Sequence, residues 1–141
     1  MRILRAFIVL SSILLTSSAS WAADFVLIVN KANGISHISA DDARNIFLGK
    51  KTTWRDGKTI VFAVQEGTET NNEFTSEVLQ KTANQYMLFW KKAVFTGTGT
   101  APHSFKSAAE VKEFVSSDIH SIGYISEKSM DDTVKKVELG K

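Results

Sequence analysis

Three histidines, His37, His103 and His120, stand far apart in the chain, and no pair has the helical or hairpin spacing that brings two imidazoles to one metal ion. There is no cysteine, which removes thiol catalysis and thiolate metal sites. Serine, histidine and aspartate are all present, but none sits in a nucleophile-elbow or zinc-hydrolase pattern. Gly97 and Gly99 lack the Lys-Ser or Lys-Thr that follows a phosphate loop. No enzyme activity, metal or cofactor is therefore expected. What remains is the polar stretch Gln65-Glu66-Gly67-Thr68-Glu69-Thr70-Asn71-Asn72, lying between a predicted strand and a predicted helix. Its simplest use is structural, with Thr70 or Asn71 capping that helix. Lys50, Lys51 and Arg55 make a small basic cluster, read as a solvated turn or a partner contact. Trp54 and Trp90 are expected as core anchors.

The elements around this stretch follow from periodicity. Phe25 to Val29 is a continuous apolar run rich in branched residues, expected as a strand buried on both faces. Asn33-Gly34 marks a turn. Ser39 then caps a helix with Asp41 and Asp42 in its first turn, where they favour the positive end of the dipole. Ala43, Ile46 and Phe47 form its apolar side, and Gly49 ends it. Asp56-Gly57 is a second turn before a buried strand over Thr59 to Val64. The helix after the polar stretch carries Phe74, Val78 and Leu79 on one side. A longer helix, from about Ala83 to Phe95, has Ala83, Tyr86, Met87, Trp90 and Val94 at the spacing of an inward face. A loop from Thr96 to Thr100, closed by Pro102, precedes a short helix with Val111, Phe114 and Val115. Strands Ile122 to Ile125 and Val134 to Leu139 finish the chain. Strands separated by helices imply one α/β domain with a mostly parallel central sheet flanked by helices. Phe47, Phe74, Trp90 and Phe114 are expected in its core.

The first 22 residues read differently. Arg2 and Arg5 precede an apolar run from Ala6 to Leu15, and Ser20-Trp21-Ala22 follows, which is the pattern of a secretory signal peptide. That run is short of the about 20 residues a membrane-spanning helix needs. Cleavage after Ala22 is expected, leaving residues 23–141 as one periplasmic domain with no membrane insertion. The chain holds 17 Lys and Arg against 15 Asp and Glu, and Arg2 and Arg5 account for the whole excess. The domain thus has no basic surplus to suggest nucleic acid.

Read together and in order, several short motifs carry a resemblance. They are Ile28-Val29-Asn30-Lys31, Ile46-Phe47-Leu48-Gly49-Lys50, Trp54, Asp56-Gly57, Phe95-Thr96-Gly97-Thr98-Gly99 and Ile122-Gly123-Tyr124-Ile125. Their sequence resembles the second lobe of the phosphate-type periplasmic substrate-binding proteins of ABC transporters. The chain looks like a short, single-lobe member of that family.

The resemblance implies an anion site between a strand and a helix, where a small-residue loop offers N–H groups and hydroxyls. The physics is general: the first N–H groups of a helix lack intrahelical partners and its dipole favours negative charge. The matching positions are Gln65, Thr68, Thr70, Asn71 and Asn72. The family's arginine near the strand end is replaced by Gln65, and Glu66 and Glu69 add negative charge beside the site. Two functions stay open. One is weak binding of a small oxyanion such as phosphate for ABC-type uptake, with a second wall from a homodimer or another envelope protein. The other is an interaction module that keeps the lobe and a partner-facing surface while binding no ligand.

Overall fold

The computed structural model describes residues 24–141. The expected signal peptide, its cleavage position and Ala23 lie outside the described residues. Among the described residues, six strands and four α-helices follow in the order β1 (Phe25–Val29), β2 (His37–Ser39), α1 (Ala40–Phe47), β3 (Val61–Gln65), α2 (Glu69–Phe74), α3 (Ala83–Phe95), β4 (His103–Phe105), α4 (Ala108–Ser117), β5 (Ser121–Ser126) and β6 (Lys135–Gly140). A π-helical turn, Thr75–Leu79, continues α2 without a break.

The strands form one sheet in the order β2-β6-β1-β5-β3-β4. β3 runs parallel to both β4 and β5, and β2 is parallel to β6. β1 is antiparallel to both of its neighbours, β5 and β6. The sheet is therefore mixed, and the parallel strands β5, β3 and β4 lie on the side that carries the polar stretch. All five residues of β1 are buried, as its sequence requires of a strand covered on both faces. Phe25, Leu27 and Val29 join Phe47, Phe74, Trp90 and Tyr124 in one cluster, and Val26 and Ile28 join Ala63, Val111, Val115 and Ile125 in the other. Each fully buried side chain of this kind contributes about 1.5–3 kcal/mol by leaving water. Phe114 is only half-buried and packs at the margin of the second cluster.

Local sequence explains the element ends. Ser39 caps α1 by accepting from the Asp42 N–H at 3.0 Å. Thr82 and Gln85 close a capping box on α3. α1 stops where Gly49 turns to φ +74°, and a Cβ there would lie 2.8 Å from Cη2 of Trp90. The close approach lets Trp90 Nε1 and Tyr86 Oη both donate to the Phe47 carbonyl, at 3.3 and 2.6 Å, and so satisfy the end of α1. Gly123 serves a different purpose. Its missing Cβ would sit 2.9 Å from Val111 Cγ1, so glycine is what lets α4 pack on β5.

Two expectations shift, and two short strands appear that the sequence did not signal. β3 starts at Val61 because Thr59 and Ile60 are engaged in a small hairpin, Thr59 bridging to Thr53 and the Ile60 N–H donating to the Thr52 carbonyl. The edge strands β2 and β4 are three residues each, too short to show a periodicity. On α3 the packed face is Tyr86, Phe89, Trp90 and Ala93, while Met87 and Val94 remain exposed.

Candidate functional site

Parallel strands β3 and β4 end at the same edge of the sheet, and the polar stretch leaves from there. α2 begins at Glu69 with Thr68 as its cap. The Thr68 hydroxyl accepts from the Asn71 N–H at 3.1 Å and donates to the Gln65 carbonyl at 3.2 Å. Asn71 is buried, and its Oδ1 accepts from the Tyr124 hydroxyl at 2.5 Å. That hydroxyl in turn accepts from the Gln65 N–H at 3.1 Å. Burial pushes the Tyr124 phenol above its ordinary range, the Gln65 N–H opposes that, and nearby Glu66 adds to it. The phenol therefore stays protonated and keeps donating. Phe74 stacks on the Tyr124 ring with centroids 3.8 Å apart. A closed circuit, Gln65 to Tyr124 to Asn71 to Thr68, thus pins the start of α2 to the end of β3.

The expected site residues divide by position. The hydroxyl of Thr68 and the Oδ1 of Asn71 are spent inside the circuit. The Thr70 hydroxyl makes no hydrogen bond among the described residues, and neither do the N–H groups of Thr68, Glu69 and Thr70. Asn72 lies on the outer side of α2, its amide 3.5 Å from Glu69 Oε2. Alternation along β3 sends Gln65, like Ala63, to the α4 side of the sheet, whereas Val64 joins the α3 side. The Gln65 side chain is buried there, and its Oε1 has no partner among the described residues. Sequence reasoning missed Tyr124, the residue that organises the loop, because it lies 53 positions from Asn71.

A groove of about 1150 Å³ opens beside this loop. Val64, Glu66, Gly67 and Asn71 form its end, and Met87, Trp90, Val94 and Phe95 of α3 face Ala101 and Pro102 across it. Lys91 and Lys106 also line it. A second hollow, of about 740 Å³, lies by α1 and gathers His37, His120, Lys51, Arg55, Asp42 and Asp56. Its charges are mixed, and Lys51 is paired with Asp42 at 3.2 Å. His103 is elsewhere, 4.8 Å from the Phe114 ring. No three His, Asp or Glu side chains among the described residues converge as metal ligands. No described helix is long and apolar enough to cross a membrane.

Solved structures share this architecture. An ABC-type phosphate transport receptor from Vibrio cholerae superposes with a TM-score of 0.64 at 16% identity, over 82% of this chain and 46% of that one. A protein of Clostridium perfringens described as a phosphate ABC transporter substrate-binding protein, solved with phosphate bound, gives 0.65 at 21% identity, over 82% and 44%. PstS from Borrelia burgdorferi gives 0.62 at 18% identity, over 82% and 47%. This chain has the substrate-binding-protein fold. It spans less than half the length of the structures it matches. No family model and no curated protein matches the sequence.

Proposed function

We propose that the chain is a periplasmic substrate-binding-type lobe that takes a small oxyanion, phosphate or similar, weakly at Gly67 to Thr70 and serves ABC-type uptake. The observation that carries this reading is the start of α2, where the N–H groups of Thr68, Glu69 and Thr70 are unpaired and the loop is held rigid by Tyr124 and Asn71. Helical bonding continues through the π turn to Leu79, so the dipole behind these groups exceeds that of α2 alone. The Thr70 hydroxyl adds a fourth donor. Thr68 and Asn71 shape the loop. Gln65 and Asn72 border it without reaching the anion. Glu66 and Glu69, with no arginine at the strand end, oppose the ligand by about 1 to 3 kcal/mol per nearby carboxylate, which makes binding weak. The lobe offers one wall of such a site, and a surface packed against it supplies the second.

Thermal unfolding in phosphate and in sulfate tests this. At about 100 times the dissociation constant a bound anion adds roughly 2.7 kcal/mol of stability. Thr70→Ala should reduce the shift and Glu69→Gln should enlarge it. No shift with either anion, in the wild type and in Glu69→Gln, would remove the binding role. The second reading, a partner module without ligand, is favoured by one observation: Phe95 on α3 is 92% exposed and Leu88 52%. Cross-linking in the periplasm reads it out directly.

A further inference from the structure

The groove beside the anion loop is far larger than a bare oxyanion requires, and its walls are of the wrong kind for one. It holds about 1150 Å³, and pockets for whole organic ligands run to about 300–1000 Å³. Four α3 side chains, Met87, Trp90, Val94 and Phe95, give it an apolar wall, faced by Ala101 and Pro102. Met87 and Val94 are exposed there although their spacing on α3 is that of a packed helix face. Two cations, Lys91 and Lys106, line the same groove, and neither is in an ion pair with another described residue. Only Glu66 opposes them among the charged lining residues.

An apolar wall, surplus positive charge and a neighbouring set of free N–H groups together match one chemical class. We infer that the groove binds an organic oxyanion with an apolar body, a phosphate monoester or a carboxylate. Its head lies at the Gly67 end of the groove, near the lysine charges, and its body lies along Met87, Trp90 and Val94. The placement of the head rests on the oxyanion reading above; the placement of the body rests on the groove alone.

Titration calorimetry with ethyl, butyl and hexyl phosphate, inorganic phosphate, hexanoate and hexanol tests both parts. Affinity should rise about three- to four-fold for each added methylene, the factor expected when a CH₂ leaves water. Val94→Ser, which shortens the apolar wall without adding charge, should flatten that series. Replacing Lys91 and Lys106 together by Gln should weaken both hexyl phosphate and hexanoate. Whichever of those two binds more tightly names the head group. A flat series with inorganic phosphate still binding overturns this inference and leaves the proposed function standing. Hexyl phosphate binding that ignores Thr70→Ala, with no binding of inorganic phosphate, overturns the anion loop instead. Hexanol binding as tightly as hexyl phosphate overturns the anionic class. Self-association that Val94→Ser abolishes, together with a flat series, assigns the groove to a second copy of the chain and also overturns it.

Discussion

Tyr124 gives the candidate site its rigidity through one oxygen, which accepts from the Gln65 N–H and donates to Asn71 Oδ1. Tyr124→Phe keeps the ring stacked on Phe74 but leaves two buried polar groups unpaired. The expected cost is about 1–3 kcal/mol in urea unfolding, with faster amide exchange at Asn71. Glu73 is a second residue-level lever. Burial first, then Asp24 and Glu69, raise its carboxyl above the ordinary 4.5. A raised carboxyl holds its proton more tightly in the folded state, so its ionisation costs stability as pH climbs above that ordinary value. Glu73→Gln should therefore melt higher than wild type at neutral pH, and the two curves should meet below pH 4.5. A constant difference at all pH values would show that the charge is not the cause. The sequence makes the loop legible by residue type: hydroxyls and amides between a strand and a helix. It does not reveal which side chains are spent on the fold, because that depends on Tyr124 across the sheet.

At the scale of elements, the packing of α1 against α3 turns on Gly49. Gly49→Ala would strain a positive φ and drive a Cβ into Trp90, and about 1–3 kcal/mol of destabilisation is expected from thermal melts. Thr82→Ala should cost about 1 kcal/mol by opening the capping box of α3. Helix boundaries are legible only in part: Ser39 caps α1 as its position implies, whereas α2 is capped by Thr68 and not by the expected Thr70 or Asn71. The orientation of α3 is not legible. The helix is apolar over most of its circumference, so two overlapping stripes fit the helical period. The stripe Ala83, Tyr86, Met87, Trp90 and Val94, expected to face inward, is the one that lines the groove. The core takes Phe89 and Ala93 with the shared residues Tyr86 and Trp90. A helix with two apolar faces serves both a core and a surface site, and single-chain periodicity cannot say which face is which.

Over the whole molecule, a sheet with one antiparallel central strand gathers the ends of β3 and β4 and the start of α2 at one edge. The open groove adjoins them there. The solved structures that share this fold are more than twice as long as the part that superposes. A one-faced site must rely on preorganised donors rather than on closure, and the N–H groups opening α2 are the proposed donors. The direct measurement is a phosphate titration followed by amide proton and nitrogen shifts of the labelled protein. Saturable shifts are expected at millimolar phosphate, concentrated on Gly67, Thr68, Glu69 and Thr70, and larger in Glu69→Gln. Shifts confined to the Lys51 and Arg55 hollow, or none that saturate, would contradict that assignment of the donors.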